Sequence, residues 1–444
     1  MKDKQSLKAV DYSSRRAAVA ERIGADGVLV LFASAERVRS HDTLHPYRPS
    51  NDLLYLCGFP EPEAVLVLTP GRAAGELTLF VRPRDAEREM WDGYREGPEG
   101  AVARFGASEA WPIEELDRRL VDLLRGRRTL HYGLGEDVAR DQAMVARLAR
   151  LRANRRAPDQ GPLSIVDPRP LLTELRWRKD EAELERMRIA ARISAEAHVL
   201  GMQQTRPGMY EYEVQALMEA HMRASGGSGP SYGSIVAGGA RGCVLHYTSN
   251  DQVLADGETV LVDSGAEYDW YAGDITRVWP VGRRFSPAQR AVYEAVLDAQ
   301  EHTVSLVRAG TDSQALHAAC LRRLTERAID LGLLRGGVDE LVESQAVRAY
   351  FPHGTGHYLG MDVHDPGPYF VAGSEGPTAR PLEPGVVLTV EPGLYIRPDD
   401  ESAPEALRGI AVRIEDDVVV LDGGGEVLTG GVPKSVAGIE ALRA

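Results

Sequence analysis

Cysteine is scarce in this chain. Cys57, Cys243 and Cys320 are far apart, odd in number, and form no C-x-x-C pair. Neither a disulfide framework nor a thiolate zinc site is expected, and buried free thiols in a reducing compartment are. No apolar run approaches the roughly 20 residues of a membrane span. The opening Met-Lys-Asp-Lys-Gln-Ser-Leu-Lys has no apolar core of signal-peptide length, so a cytoplasmic protein is expected. Positive charge is in deficit: 52 Lys and Arg stand against 66 Asp and Glu, a formal net charge of -14. Such a surface repels nucleic acid and acidic membranes, which excludes both as partners. No G-x-x-x-x-G-K-[ST] loop and no G-x-S-x-G elbow occurs. Gly354-x-Gly356-x-x-x-Gly360 misses the dinucleotide fingerprint by one residue and precedes no helix.

What is present divides in two, as 444 residues would lead one to expect. The first third alternates helical and strand patterns. Residues 12–24 are helix-like and Gly27–Ala33 is a short apolar strand. Glu63–Thr69 and Glu76–Val81 read as a strand pair. Helical patterns over 114–126 and 135–152 flank a strand at Thr129–Leu134, which makes an α/β domain. The Pro/Arg/Gly-rich stretch Arg155–Pro170 reads as a linker approach, with the boundary near residue 172. The expected domains are therefore 1–172 and 173–444.

The second domain opens with helices over 179–204 and 210–225. A glycine-rich segment, Ser234–His246, and strands at Thr259–Asp263 and Asp274–Trp279 follow. Ser286-Pro-Ala-Gln289 is a capping box starting a helix to about Val307. Thr311-Asp-Ser-Gln314 is read as another, starting a helix to about Leu331. Val386–Val390 and Ile410–Leu421 read as strands. The order helix, helix, strands thus occurs twice, which hints at an internal pseudo-repeat.

The chemistry is concentrated around His353-Gly-Thr-Gly-His357-Tyr-Leu-Gly-Met-Asp-Val-His364, which holds three of the chain's 11 histidines. His353 and His357 have the i, i+4 spacing of helical zinc ligands, but each intervening glycine costs about 1 kcal/mol in a helix. A tight glycine loop leading into a strand, with its histidines aimed at one cavity, is expected instead.

Carboxylates supply the rest. Asp263 ends the apolar strand Val-Leu-Val-Asp, Asp274 follows in Gly-Asp-Ile-Thr-Arg, and Glu391 ends Val-Leu-Thr-Val-Glu-Pro. Burying a carboxylate there costs several kcal/mol unless a cation or donors compensate. Each could equally cap a turn. In Val-Arg-Ile-Glu-Asp-Asp-Val, period-two alternation puts Arg413, Glu415 and Asp417 on one face, and spacing alone does not choose between Glu415 and Asp417. Oxygen ligands with one imidazole suit Mn2+, Co2+, Fe2+ or Zn2+. Five such residues exceed what one catalytic ion needs and suit a pair of ions sharing a bridging hydroxide, a pattern that points to hydrolysis.

Asp263, Asp274, His357, Glu391 and Glu415, in the contexts LVDSG, GDITR, HGTGH, VEPG and RIEDD, resemble the five metal ligands of the pita-bread metallopeptidases. His246 in CVLHYT, His353, and His364 in DVHD resemble the extra histidines of that family's proline-specific branch, aminopeptidase P and prolidase. The stretch from His45 to Ala64 is similar to the N-terminal signature of aminopeptidase P. Departures are small: Ser264 stands where alanine is frequent, and Thr355 where leucine is.

The resemblance implies an α+β fold: a C-terminal pita-bread (creatinase/aminopeptidase) catalytic domain preceded by a smaller α/β creatinase-like domain. It implies two Mn2+ per subunit, with Asp263 on one, His357 and Glu391 on the other, and Asp274 and Glu415 bridging. It implies Glu391 as proton shuttle, His364 at the oxyanion, and His246 and His353 around the proline-side pocket. Arg413 would support a ligand carboxylate, with Tyr232 and Tyr395 near the substrate. Trp91 matches a tryptophan that reaches the substrate from a neighbouring subunit in tetrameric bacterial members.

The implied reaction is hydrolysis of the bond between an N-terminal residue and a following proline. Its substrates would be short or unstructured peptides, and the enzyme a homo-oligomer, dimer or tetramer. Prolidase, which cleaves only Xaa-Pro dipeptides, shares all five ligands. A metal-free creatinase-like or peptide-binding protein of this fold would have lost some of them.

Overall fold

The structure is a computed structural model that describes residues 7–153, 156, 160–373 and 376–443. The chain forms two compact units: Val10–Arg176, and Trp177–Ala444 together with Met1–Ala9. The boundary expected near residue 172 lies inside a helix, Arg169–Trp177.

The N-terminal unit is built on a mixed six-stranded sheet. Gly27–Phe32 pairs antiparallel with Val65–Leu68, which pairs antiparallel with Leu77–Val81. On its other edge Gly27–Phe32 runs parallel to Thr129–His131. Val28, Leu29, Val67 and Leu79 are wholly buried, as the unbroken apolar runs require. The supposed linker needs correction. Part of Arg155–Pro170 lies outside the described residues, but Ser164–Val166 is the sheet's edge strand, parallel to Thr129–His131. Ile165 and Val166 are β-branched and favour a pleat over a linker.

The C-terminal unit repeats one plan. The helices Glu181–Gln204 and Glu211–Ala224 precede an antiparallel sheet of Ile235–Gly238, Thr259–Asp263 and Thr276–Pro280. The helices Pro287–Leu306 and Ser313–Asp330 precede an antiparallel sheet of Val387–Val390, Asp416–Val420 and Gly425–Val427. The first helix of the second pair starts with a complete box: Ser286 accepts from Gln289 N–H, and Gln289 reaches back to the backbone of Ser286.

Three further expectations are corrected. The helix Ser313–Asp330 is capped by Asp312, whose carboxylate takes the Ala315 N–H at 2.8 Å, while the Thr311 hydroxyl turns back to Leu306. A carboxylate is the stronger acceptor, and the residue three beyond Asp312 is alanine, so no box forms. The glycine loop does not lead into a strand; it makes a single bridge, Tyr358 to Leu388, and passes into the turn around Asp362–Asp365. Ile410–Leu421 is not one strand either. Ala411–Arg413 pairs with Gly393–Tyr395, Asp416–Val420 pairs with Val387–Val390, and the chain breaks between them. At the break Glu415 N–H donates to Thr276 O at 3.1 Å.

His198, wholly buried on Glu181–Gln204, braces the floor under Asp263. Its ring meets Trp279 edge-on, and Nε2 lies 2.9 Å from Ser264 O. A carbonyl only accepts, so Nε2 carries the proton. Burial pushes this imidazole down to about 4. A histidine depressed on folding contributes stability that is whole above its unfolded value of about 6.5 and fades as pH falls toward 4. Replacing His198 with Gln should therefore flatten the pH dependence of unfolding free energy between pH 7 and 4.5 by about one proton's slope. Urea titrations across that range measure it, and an unchanged slope would contradict buried, neutral His198.

Candidate metal centre

The strand pairings decide where the carboxylates go. Asp263 ends its strand opposite Thr276. Asp274 precedes that partner strand by two residues, so the strand starts later than the sequence pattern suggests. Glu391 follows Val387–Val390, where Pro392 removes the next ladder donor. Glu415 sits at the break between Ala411–Arg413 and Asp416–Val420. All four carboxylates, with Tyr232, His246, His353, His357, His364 and Arg413, line one cavity of about 570 Å³ in the C-terminal unit. Asp274 and Glu415 are 4% and 2% exposed. Ligand atoms of Asp274, His357 and Glu415 lie within 4.8 Å of one another. His357 Nε2 is 3.6 Å from Asp274 Oδ2 and 3.6 Å from Glu391 Oε1.

Asp417 is excluded from the cavity. The break in the strand ends the period-two alternation, so Asp417 turns to the backbone N–H of Asp274 at 3.0 Å. Trp91 belongs to the N-terminal unit, on the helix Ala86–Asp92, and is 80% exposed. Tyr395 does not line the cavity but joins its polar network.

That network fixes the first ring of groups. Arg413 donates to Asp263 Oδ2 at 2.6 Å, to Thr276 Oγ1 at 3.0 Å and to the Tyr395 hydroxyl at 3.0 Å. His353 Nδ1 faces Gly354 O at 2.8 Å, so it holds the proton and Nε2 accepts from the Tyr395 hydroxyl at 2.8 Å. His357 Nδ1 likewise faces a carbonyl, Tyr358 O at 3.1 Å, which leaves the Nε2 lone pair turned toward the carboxylates. The Tyr232 hydroxyl bridges Asp263, at 2.5 Å, and Asp274.

Two threonines in apolar strands were not singled out from the sequence. Thr276 donates to Glu415 at 2.6 Å, while Thr389 accepts the His357 N–H at 3.1 Å and reaches Glu391 at 3.4 Å. Their signal was available: a hydroxyl inside an apolar strand has to find a partner. Behind them Arg277, fully buried, donates to Glu415 O at 2.5 Å and pairs with Asp416 at 2.6 Å.

The electrostatics are those of a cation site. Burial pushes Asp274 and Glu415 well above the carboxylate range, and neighbouring acids push them further. Burial, with the charge of Asp263 adding to it, lifts Glu391 to about 7 against the opposing pull of Arg413. Burial holds His353 and His357 down at about 4, so both imidazoles are neutral at pH 7. Four carboxylates face a single guanidinium. Oxygen donors with one available imidazole nitrogen suit a hard or borderline divalent ion, so the residues present fit a metal centre.

The sheet-framed acid cluster with His357 beside it suits a divalent metal, and the chain belongs to metallopeptidase family M24, whose model matches residues 185–422. A model of the aminopeptidase P N-terminal domain matches residues 12–131. The fold is thus a pita-bread catalytic unit with an aminopeptidase P-type unit before it, and the family implies a divalent metal centre. Among curated relatives, the Xaa-Pro aminopeptidase of Escherichia coli (strain K12) is 41% identical over 433 residues, covering 97% of each chain. The solved structure of Pseudomonas aeruginosa aminopeptidase PepP matches with a TM-score of 0.95 at 45% identity, over 98% of this chain and 97% of that one. Aminopeptidase P from E. coli with the inhibitor Pro-Leu matches with a TM-score of 0.93 at 41% identity, over 98% and 97%.

Metal ligands must be deprotonated, so ions displace protons from the raised carboxyls. Affinity for Mn2+ should rise from pH 6 to pH 8, and calorimetry in buffers of different ionisation enthalpy should detect net proton release near pH 6.5. Binding independent of pH over that range would contradict the raised Glu391.

Proposed function

We propose that this chain is an Xaa-Pro aminopeptidase, hydrolysing the bond between an N-terminal residue and a following proline. The observation that carries the reading is the gathering of four carboxylates, His357 and three further histidines around one cavity. Likeness over nearly the whole chain to Xaa-Pro aminopeptidases supports it.

The charge count favours two divalent ions. With Arg413 paired to Asp263, the other three carboxyls carry three negative charges once their protons are displaced, more than one ion neutralises and fewer than two supply. Asp263 would hold one ion, His357 and Glu391 the other, and Asp274 and Glu415 would lie between them. Mn2+ is the proposed loading, with Zn2+, Co2+ and Fe2+ compatible with the same donors. When bound, such a pair supplies Lewis acidity and lowers the pKa of water toward neutrality.

The chain's own groups do the rest. Glu391 receives a proton from the attacking water and passes it to the prolyl nitrogen, which as part of a tertiary amide carries none of its own. The His364 ring lies 4.3 Å from that of His357 and donates to the oxygen that gains charge. His246 and His353 bound the space for the proline ring. Tyr395, donating to His353, fixes that imidazole's orientation, and Arg413 holds Asp263 in place. Tyr232 positions Asp263 and Asp274 from the substrate side. The substrates are short or unstructured peptides with proline second. A homo-oligomer, dimer or tetramer, in which Trp91 serves a neighbouring subunit's site, and a cytoplasmic location complete the proposal.

Purified protein loaded with Mn2+ should release Xaa from an Xaa-Pro-Yaa tripeptide, lose that activity to chelator, and leave Xaa-Ala-Yaa intact by mass spectrometry. Cleavage of an Xaa-Pro dipeptide alone would make it a prolidase, and no cleavage with any metal would end the peptidase reading. Glu391→Gln should lower kcat by about 10²–10⁴.

A further inference from the structure

His246 lies on an irregular segment between Ile235–Gly238 and Thr259–Asp263. It is exposed, and its ring has no hydrogen-bond partner among the described residues. Its place in the cavity is therefore set by its backbone rather than by a hydrogen bond to its ring. Apart from a short 3-10 turn at Gly239–Cys243 and an isolated bridge from Val253 to Tyr210, that backbone is irregular up to Thr259.

One buried carboxylate gathers this segment. Glu211, the first residue of the helix Glu211–Ala224, is 0% exposed. Its Oε1 accepts from Gly238 N–H at 2.8 Å and from Arg241 Nε at 2.8 Å. Its Oε2 accepts from the Tyr247 hydroxyl at 2.9 Å and from Gln252 N–H at 3.0 Å. The Glu211 N–H closes the ring by donating to Gln252 O at 2.9 Å. Both ends of the segment and the residue next to His246 thus meet at one side chain, which itself does not line the cavity.

We propose that Glu211 is a positioning residue for proline recognition, acting through Tyr247 and the segment 238–252 to hold His246 at the cavity wall. The inference rests on the reading that His246 bounds the proline-side pocket. A glutamine at this position keeps one acceptor but turns an NH2 group on two of the four donors, which must move apart.

A double-mutant cycle on the full-length, Mn2+-loaded enzyme tests it. Kinetics on an Xaa-Pro-Yaa tripeptide would be compared for wild type, Glu211→Gln, His246→Ala and the combination, with bound metal measured in each. Glu211→Gln should raise KM about tenfold with kcat within about twofold and metal content unchanged. In the His246→Ala background it should add no further loss. Effects that multiply, or a loss of kcat and metal without a change in KM, overturn the proposal. If Glu211→Gln does not fold, Tyr247→Phe removes a single hydroxyl and completes the same cycle, with multiplying effects again overturning it. Wild-type enzyme inert on the tripeptide would instead sink the aminopeptidase reading itself, a result distinct from an active enzyme with multiplying effects.

Discussion

Mutual repulsion among four carboxylates governs this catalytic unit. Two such charges about 4 Å apart repel by about 4 kcal/mol at an effective dielectric of 20, before any cost of removing them from water. Asp274 and Glu415 are nearly sealed from solvent, so they are not free to swing apart. Arg413 relieves only Asp263 directly, and the hydroxyls of Thr276 and Tyr232 add single hydrogen bonds. The packed sheets hold the acids together, and a bound divalent cation would relieve their repulsion.

The supporting shell explains why the cluster does not collapse. Each acid of the cluster, and His357, is held by a hydrogen bond with a neighbouring side chain or backbone group. His357 is pinned through its Nδ1 to Tyr358 O and through its backbone to Thr389. The Gly356 backbone passes so close to Thr389 that a Cβ there would lie 1.9 Å from a carbonyl oxygen. That close approach is the physical need for glycine in the loop. Lys179 and Asp365, each with 1% of its side chain exposed, form a buried ion pair that secures the turn beside His364. Losing one member of such a pair costs about 3–5 kcal/mol.

Much of this was legible from the residues, for identifiable reasons. A carboxylate closing an apolar run, as at Asp263 and Glu391, conflicts with its surroundings unless a cation is near, and that conflict is visible in one dimension. The choice between Glu415 and Asp417 was not visible. Alternation assumes an unbroken strand, and the break after Arg413 depends on Thr276, more than a hundred residues earlier in the chain. The capping aspartate at residue 312 was hidden by a neighbouring motif that fits the same pattern. The edge strand Ser164–Val166 was masked by the proline and arginine around it, because composition averages over a window wider than three residues. Thr276 and Thr389 were overlooked because isolated hydroxyls are common, and only their partners reveal what they hold.

The break at Ile414–Glu415 has a further consequence. The donors around the cavity are spread from Asp263 to Glu415, and the sheet that receives Glu415 needs Thr276 already in place. Contacts this distant in sequence form late, after the local helices and hairpins. During synthesis the segment carrying Glu415 leaves the ribosome after every other donor. The nascent chain thus has no complete donor set until its last member has emerged and the distant contacts around it have formed. A peptidase assembled from both halves of its catalytic unit is silent until almost all of it exists.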